Sequence, residues 1–509
     1  MPDYAANNKR IAKNTLLLYM RMFLMMGVSL YTSRVVLNTL GVEDYGVYNV
    51  VGGVVAMFGI FTSSLSGAIS RFITVELGKG DLQRLRDVFS TSVKVQLIMS
   101  LAVAILGETV GLWFMNTQMQ IPDGREVAAE WVLHCSILSF IVSLINVPFN
   151  STIIAHERMS AFAYISILEA VLKLGIVYLL MLMGFDKLIC YAILMLVVQI
   201  LLRLVYWIYC RQKFSETRGH STFDKHLFGE LWSFAGWNLL GNGAYVLNTQ
   251  GVNMVMNVFF GVVVNAARGI ANQVNGAVQQ FVNNFMMALN PQITKSYATG
   301  DKQTAFTLAC RGAKFSYLLT FCLALPIMIE ADQILTLWLG TPPEESASYV
   351  IWTLLASITT VTGQPLLTLQ MAHGDIKKYQ LFITLFGFAP FPLTWIGYLL
   401  GAPAIWAFVI YFIVYYILIY VRMWLVHGKT GLPYAMYFRE VIGRTHLVSA
   451  ISVILPLALV ILMPASIYRL ILSCVVCVIS TITTSYFIGL TSSERATIYS
   501  HIRKIFKKS

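Results

Sequence analysis

The feature that most restricts this chain is a succession of long apolar segments, such as Val453 to Met463 and Tyr411 to Tyr420, with almost no charge inside them. A single water-soluble core stops growing at roughly 250–300 residues. This chain has 509, of which 57% are hydrophobic and only 12% charged. Ordinary soluble domains carry about 25% charged residues, so a soluble enzyme is excluded and a bilayer must supply the solvent. Transmembrane barrels alternate apolar and polar residues in segments of about ten. Unbroken apolar runs exclude that plan and predict an all-α, polytopic membrane protein.

Requiring about twenty mostly apolar residues per span places helices near 13–36, 46–70, 88–115, 127–155, 160–184, 187–210, 228–258, 262–290, 305–328, 348–372, 379–400, 403–424, 447–464 and 466–489, about fourteen in all. Even-numbered connections carry Lys79, Arg84, Arg158, Arg211, Lys302, Lys377 and Lys429, among others. Odd-numbered ones carry little beyond Arg125, Lys187 and Arg469, so both termini are expected in the cytoplasm. Most of the formal charge of +12 has that origin and argues for no nucleic-acid partner. The apolar stretch after Lys9, Arg10 and Lys13 lacks a clear cleavage site and reads as a retained first helix. Nearly all seven cysteines lie within apolar segments, including Cys474 and Cys477 of the one C-x-x-C, and read as packing residues. No metal site or cofactor is expected.

Two polar stretches, 211–227 and 428–446, read as cytoplasmic linkers. They divide the chain into an N-lobe (1–210, helices 1–6), a C-lobe (228–427, helices 7–12), a terminal helix pair (447–489) and a basic tail (490–509). The lobes look like copies. Gly41, Val42, Ile73, Thr74, Gly80, Asp81, Gln83 and Lys94 recur 220 positions later as Gly261, Val262, Ile293, Thr294, Gly300, Asp301, Gln303 and Lys314. Pro148, Ala155 and His156 recur 217 positions later as Pro365, Ala372 and His373. Two six-helix copies in one membrane orientation predict a transporter with its site between lobes, near the midplane.

Polar groups inside the membrane are costly and normally face a bundle interior or a wet cavity. The eighth span carries Arg268, Asn272, Asn275, Gln279 and Asn283 at steps of four, three, four and four, along one helix face, with Asn265 and Asn290 near its ends. The seventh offers Asn238, Asn242, Tyr245, Thr249, Asn253 and Asn257 at similar steps. Two amide-rich faces predict a shared aqueous cavity in preference to interhelical hydrogen bonding alone. Arg21, Arg34 and Arg268 are embedded cations whose planar donors suit phosphate oxygens. An ideal helix turns Arg34 roughly opposite Arg21, so a common cavity requires distortion at Gly27. Arg34 has a competing role, snorkelling or pairing with Glu43 and Asp44. Glu169 and Lys173 read first as a helical ion pair. Together with Glu108 they are the alternative candidates for coupling to protons or sodium. His134 reads as a hydrogen-bonded interior residue. No phosphate-binding Gly-rich Lys motif and no metalloprotease His-Glu motif is present.

The stretch SRVVLNTLGVEDYGVY, from Ser33 to Tyr48, NPQITKSYATGD at 290–301 and AHGDIKKY at 372–379 resemble the polysaccharide lipid flippases of the multidrug/oligosaccharidyl-lipid/polysaccharide exporter superfamily. That resemblance implies two lobes rocking about a central cationic cavity in a bacterial cytoplasmic membrane. The implied cargo is an undecaprenyl-pyrophosphate-linked sugar repeat unit for surface polysaccharide, and the implied partners are membrane lipids and a polymerase or glycosyltransferases. Arg21, Arg34 and Arg268 fall on helices where such flippases carry cavity cations. Relatives commonly have an acidic residue midway along the seventh helix, where this chain has Asn248, Thr249 and Gln250, so a cation site there is not carried over. The last two helices are similar to those of the fourteen-helix flippases of lipid-linked peptidoglycan precursor. Two alternatives remain at this stage: a small-molecule or drug exporter of the same superfamily, and a polytopic glycosyltransferase or polymerase using Glu43-Asp44.

Overall fold

The computed structural model describes residues 4–59, 69, 72–73, 76–77, 80–156, 158–182, 184–218, 225, 227–229, 243, 246–375 and 377–496, with side chains from Met22 onward except at 159, 287, 288 and 291. Every regular element among them is helical. In chain order these are α1 (Tyr4–Ala56), then α2 (Leu82–Leu106), which continues through a π-turn, Gly107–Gly111, into α3 (Leu112–Gln118). Next come α4 (Glu126–Ala155), α5 (Met159–Leu182) and α6 (Lys187–Lys213). A second π-turn, Leu247–Gly251, leads into α7 (Val252–Phe260) and α8 (Val262–Ala298). There follow α9 (Lys302–Ile329), α10 (Ala331–Leu339), α11 (Ser346–Thr360), α12 (Gly363–His373), α13 (Lys377–Phe388), α14 (Pro390–Leu399) and α15 (Trp406–Thr430). Then come α16 (Tyr434–Tyr437), a π-turn at Phe438–Gly443, α17 (Arg444–Leu462) and α18 (Ile467–Thr484).

Eleven helical stretches among the described residues are long and apolar enough to cross a bilayer, so the chain is a polytopic membrane protein. Ten of them coincide with expected spans. The eleventh, Met22–Ala56, holds most of the first expected span and the start of the second, two helices that run on from one another across the non-helical Gly41. About half of the seventh expected span, including 230–242, lies outside the described residues. The eighth is α8, long enough to cross but too rich in amides to count as apolar. The stretch 428–446, expected to link, is helical from Tyr434 onward, and its Tyr437 and Val441 are fully buried.

The chain forms two compact units, Met1–Gly269 and Ile270–Ser509. In the first, Val47, Val50 and Val51 of α1 pack with Val132 and Leu133 of α4 and Leu188 of α6. In the second, Phe306 and Ala309 of α9 pack with Leu366 and Leu369 of α12, Met423 of α15 and Tyr437 of α16. Leu97, Leu101 and Ile105 of α2 and Ile454 and Ile461 of α17 stay exposed, as side chains meeting acyl chains must.

The repeat seen in the sequence recurs in the backbone. Gly41 has φ 83° and ψ 170°, and Gly261, 220 positions on, has φ 77° and ψ −172°. This is a region essentially restricted to glycine, so each copy kinks where only that residue is tolerated. Gly80 and Gly300 both take positive φ, 74° and 85°. The aspartate after each caps the next helix: Asp81 accepts from the Arg84 N–H at 2.9 Å, and Asp301 from the Thr304 N–H at 3.1 Å.

Two buried ion pairs fix the terminal helices to α9 within the second unit. Lys314 Nζ meets Glu494 Oε2 at 2.6 Å with both side chains at most 5% exposed. Glu330, just past the other end of α9, accepts from Arg469 Nε and Nη2 at 3.0 and 2.8 Å and from Ser473 Oγ at 2.8 Å. Burial works against the Glu494 charge, but hydrogen bonds from Lys314 and Thr491 outweigh it and hold the carboxyl below its usual range. The stabilisation from that lowered value is full above the ordinary glutamate range and is lost as pH falls through the folded value.

Gly41→Ala and Gly261→Ala should each destabilise by about 1–3 kcal/mol, whereas Gly52→Ala, whose new Cβ meets nothing within 4 Å, should not. Thermal unfolding in a neutral detergent reads the difference. Lys314→Ala should cost at most about 3–5 kcal/mol, reduced by Arg311, whose Nε stays 3.3 Å from Glu494 Oε1, and Lys314→Met combined with Glu494→Leu should recover most of the loss.

Candidate functional site

In the first unit, the amides of α7 and the start of α8 are tied down. Asn265 Nδ2 donates to Asn253 Oδ1 at 2.9 Å and to the Asn253 carbonyl at 2.7 Å. Asn253 Nδ2 in turn reaches the Asn49 carbonyl of α1 at 3.5 Å. Asn257 accepts from the Gln120 N–H at 2.9 Å and donates to the Gln120 carbonyl at 3.2 Å. Small residues make the close approach possible: a Cβ on Gly46 would lie 2.2 Å from the Val262 carbonyl oxygen. A Cβ on Gly269 would lie 2.9 Å from Asn49 Oδ1. Asn253 is therefore buried among polar partners from α1 and α8, an arrangement that joins helices.

Arg268 is 8% exposed. Its Nη2 donates to the carbonyls of Asn248 and Thr249 at 3.3 and 3.2 Å, and its Nη1 to Met256 Sδ at 3.1 Å. The π-turn Leu247–Gly251 frees backbone carbonyls of the kind this guanidinium meets. Arg34 is exposed on α1. The Arg21 backbone is helical, but its side chain, like all of Asn242, lies outside the described residues.

The same stripe behaves differently in the second unit. Asn272 and Asn283 are exposed, and Asn275 and Gln279 are half-buried. Gln279 Nε2 donates to Ser357 Oγ of α11, and Asn290 accepts from Thr368 Oγ1 of α12 at 2.9 Å. The Asn275 side-chain oxygen is enclosed without a partner among the described residues. One helical stripe thus has a fastened part, around Asn265 and Arg268, and two open positions, Asn272 and Asn283.

The remaining candidates form pairs. Lys173 Nζ meets Glu169 Oε1 at 2.6 Å, one helical turn apart on α5. Glu108, in the π-turn after α2, meets His134 Nδ1 of α4 at 2.8 Å, with both side chains 42% exposed. Sequence spacing gave no sign of that pairing, since only the one-residue slip of the π-turn and the register of α4 bring the two together. Asp44 is engaged by Arg125, whose Nη1 also reaches Asp186 Oδ2 at 2.5 Å. Burial opposes the Asp186 charge, yet hydrogen bonds from Arg125 and from the N–H groups of Ile189 and Leu188 hold that carboxyl below the usual aspartate range. Arg125 therefore ties the ends of α1, α4 and α6, and Asp44 is part of that tie.

A sequence profile described as "Polysaccharide biosynthesis protein" matches residues 11–297, more than half of the chain. The chain belongs to that family. It is 20% identical over 325 residues to the "Uncharacterized membrane protein EpsK" of Bacillus subtilis (strain 168), a match spanning 62% of each chain. Its fold is similar to that of "Lipid II flippase MurJ, inward closed conformation", at 11% identity and TM-score 0.63, covering 93% of this chain and 98% of that one. It is also similar to an inward-facing "multidrug resistance MATE family transporter of the MOP superfamily", at 14% identity and TM-score 0.61, covering 79% and 94%. The likeness to these two structures is one of fold.

If the stripe is divided as described, Asn265→Ala should lower stability by about 0.6–1.7 kcal/mol, while Asn272→Ala and Asn283→Ala should stay within about 0.5 kcal/mol of the parent. Unfolding midpoints of the three purified variants check this directly.

Proposed function

We propose that this chain is a flippase carrying undecaprenyl-pyrophosphate-linked oligosaccharide repeat units across the bacterial cytoplasmic membrane by alternating access, in the service of surface polysaccharide biosynthesis. Both termini are cytoplasmic in this reading, and the chain performs no covalent chemistry on its cargo. The observation that carries it is the pair of open amides on α8, Asn272 and Asn283, on a helix followed in sequence by one apolar enough to cross a bilayer. Amides both donate and accept, the capacity that sugar hydroxyls require. The family's description supports a carbohydrate-linked cargo.

Arg21 and Arg34 supply the positive charge that attracts the pyrophosphate. Arg268, held on the carbonyls of Asn248 and Thr249, positions the turn before α7 and adds to the field. Asn242 and Asn253 belong to the same polar surface by spacing, with Asn253 acting through its bonds to Asn265. The lipid tail remains in the bilayer. For the driving force, the candidates for coupling are Glu108, which faces His134, and Glu169 with Lys173, which pair with each other. A glycosyltransferase supplying the cargo and a polymerase consuming it are the partners this role implies. Cationic drugs would be repelled by the same arginines, which ranks export of such compounds lower.

A leaflet-translocation assay with a fluorescent undecaprenyl-pyrophosphate oligosaccharide in proteoliposomes tests the assignment. Asn272→Ala combined with Asn283→Ala should slow transport at least about tenfold, roughly 1.4 kcal/mol of barrier, with Arg21→Ala combined with Arg34→Ala slower still. Transport at the parental rate in both double variants would overturn the reading.

A further inference from the structure

Within the second unit lies an intramembrane arginine that neither the family match nor the α8 stripe accounts for. Arg422 sits on α15, which crosses the membrane and ends at Thr430. Eight residues of helix separate the two, about 12 Å. Among the described residues no carboxylate, carbonyl or hydroxyl hydrogen-bonds this guanidinium or pairs with it, and its Nε is enclosed without a partner. The cost of such a charge at this depth is several kcal/mol, and other intramembrane charges in the unit have acidic partners, as Lys314 has Glu494.

The surroundings of Arg422 suit negative charge. Its guanidinium lies against the first residue of α12: a Cβ on Gly363 would fall 2.1 Å from Nη1 and 3.0 Å from Cζ. Helix α12 is 11 residues long and continues the course of α11 within one membrane-crossing stretch, since Val361 and Thr362 keep helical backbone angles; Pro365, which has no N–H, lies in its first turn. Tyr379 of α13 is 3% exposed, its hydroxyl has no hydrogen-bond partner among the described residues, and Arg422 is close enough to act on it electrostatically. Tyr437 is already used, donating to the Thr362 carbonyl at 3.1 Å and so holding the start of α12 in place. Nearby, Lys378 lies over the Trp424 ring at 5.6 Å and Lys429 is paired with Asp375.

We propose that Arg422 and the Tyr379 hydroxyl, beside the first turn of α12, form a binding site for a phosphate group, borne either by a free anion or by an anionic lipid. The guanidinium offers a planar pair of N–H donors to two phosphate oxygens, and the phenol donates to a third. Gly363 keeps the space clear for the guanidinium. The site belongs to the second unit alone and stands or falls independently of the transported cargo.

The test uses the full chain in phosphatidylcholine nanodiscs, read by thermal unfolding, with inorganic phosphate as one probe and 20% phosphatidylglycerol in the disc as the other. A saturable rise of the midpoint with inorganic phosphate identifies a free anion. Arg422→Gln should then raise the half-saturating concentration about tenfold or more, and Tyr379→Phe by a smaller factor. A rise seen only with phosphatidylglycerol, and abolished by Arg422→Gln, identifies the lipid headgroup. Arg439→Gln, at an exposed position, should respond like the parent to either probe. The proposal is overturned if neither probe stabilises the parent, or if the response survives undiminished in Arg422→Gln. Should that variant not fold, an undiminished response in Tyr379→Phe overturns it equally.

Discussion

Inside hydrocarbon a polar group has no water to fall back on, so each one must be satisfied by the protein, by its cargo, or by a wet cavity. Nearly every informative feature of this chain follows from how that demand is met. Asn253, Asn257 and Asn265 meet it internally and hold helices together. Asn272 and Asn283, on the same helix face as the fastened residues, are left open. Lys314 and Glu330 meet it with charges brought in by the end of the chain. Arg422 and Tyr379 are among the described side chains where the demand goes unmet, and that imbalance gives them a role.

Much of this was legible in the sequence. Spans are set by the thickness of the bilayer, so ten expected segments reappear as helices with only their ends shifted. The duplicated Gly-Asp at 80–81 and 300–301 forms the same turn and cap in both copies, since glycine and aspartate are read locally. The sorting of the amides was not legible. Asn265 and Asn272 are the same residue type on one helix, and what separates them is a partner near in space but not in the local pattern. Asn257 meets Gln120 from 137 positions away. Arg422 was hidden for another reason: a span ending near 424 puts it at the membrane edge, whereas α15 continues as helix for two turns beyond it, to Thr430.

The ionisable pairs show how little charge alone says about role. Glu169 with Lys173 and Glu108 with His134 have similar short contacts, yet the first is local to one helix and the second spans two, at a point where a π-turn has already loosened the backbone. Asp44 sits beside Glu43 in an arrangement that on paper suggests a pair of acids for chemistry. Arg125 draws Asp44 and Asp186 into one knot, and a carboxylate so committed is a brace.

The anchoring of the terminal helices at both ends of α9 has a further consequence. Lys314 and Glu330 are buried, and the charges that balance them come from the segment after α9 that ends the chain. Truncating the chain before α17 would leave both side chains buried without those counter-charges. The terminal pair is thus no dispensable appendage: cutting it away damages the bundle it was attached to.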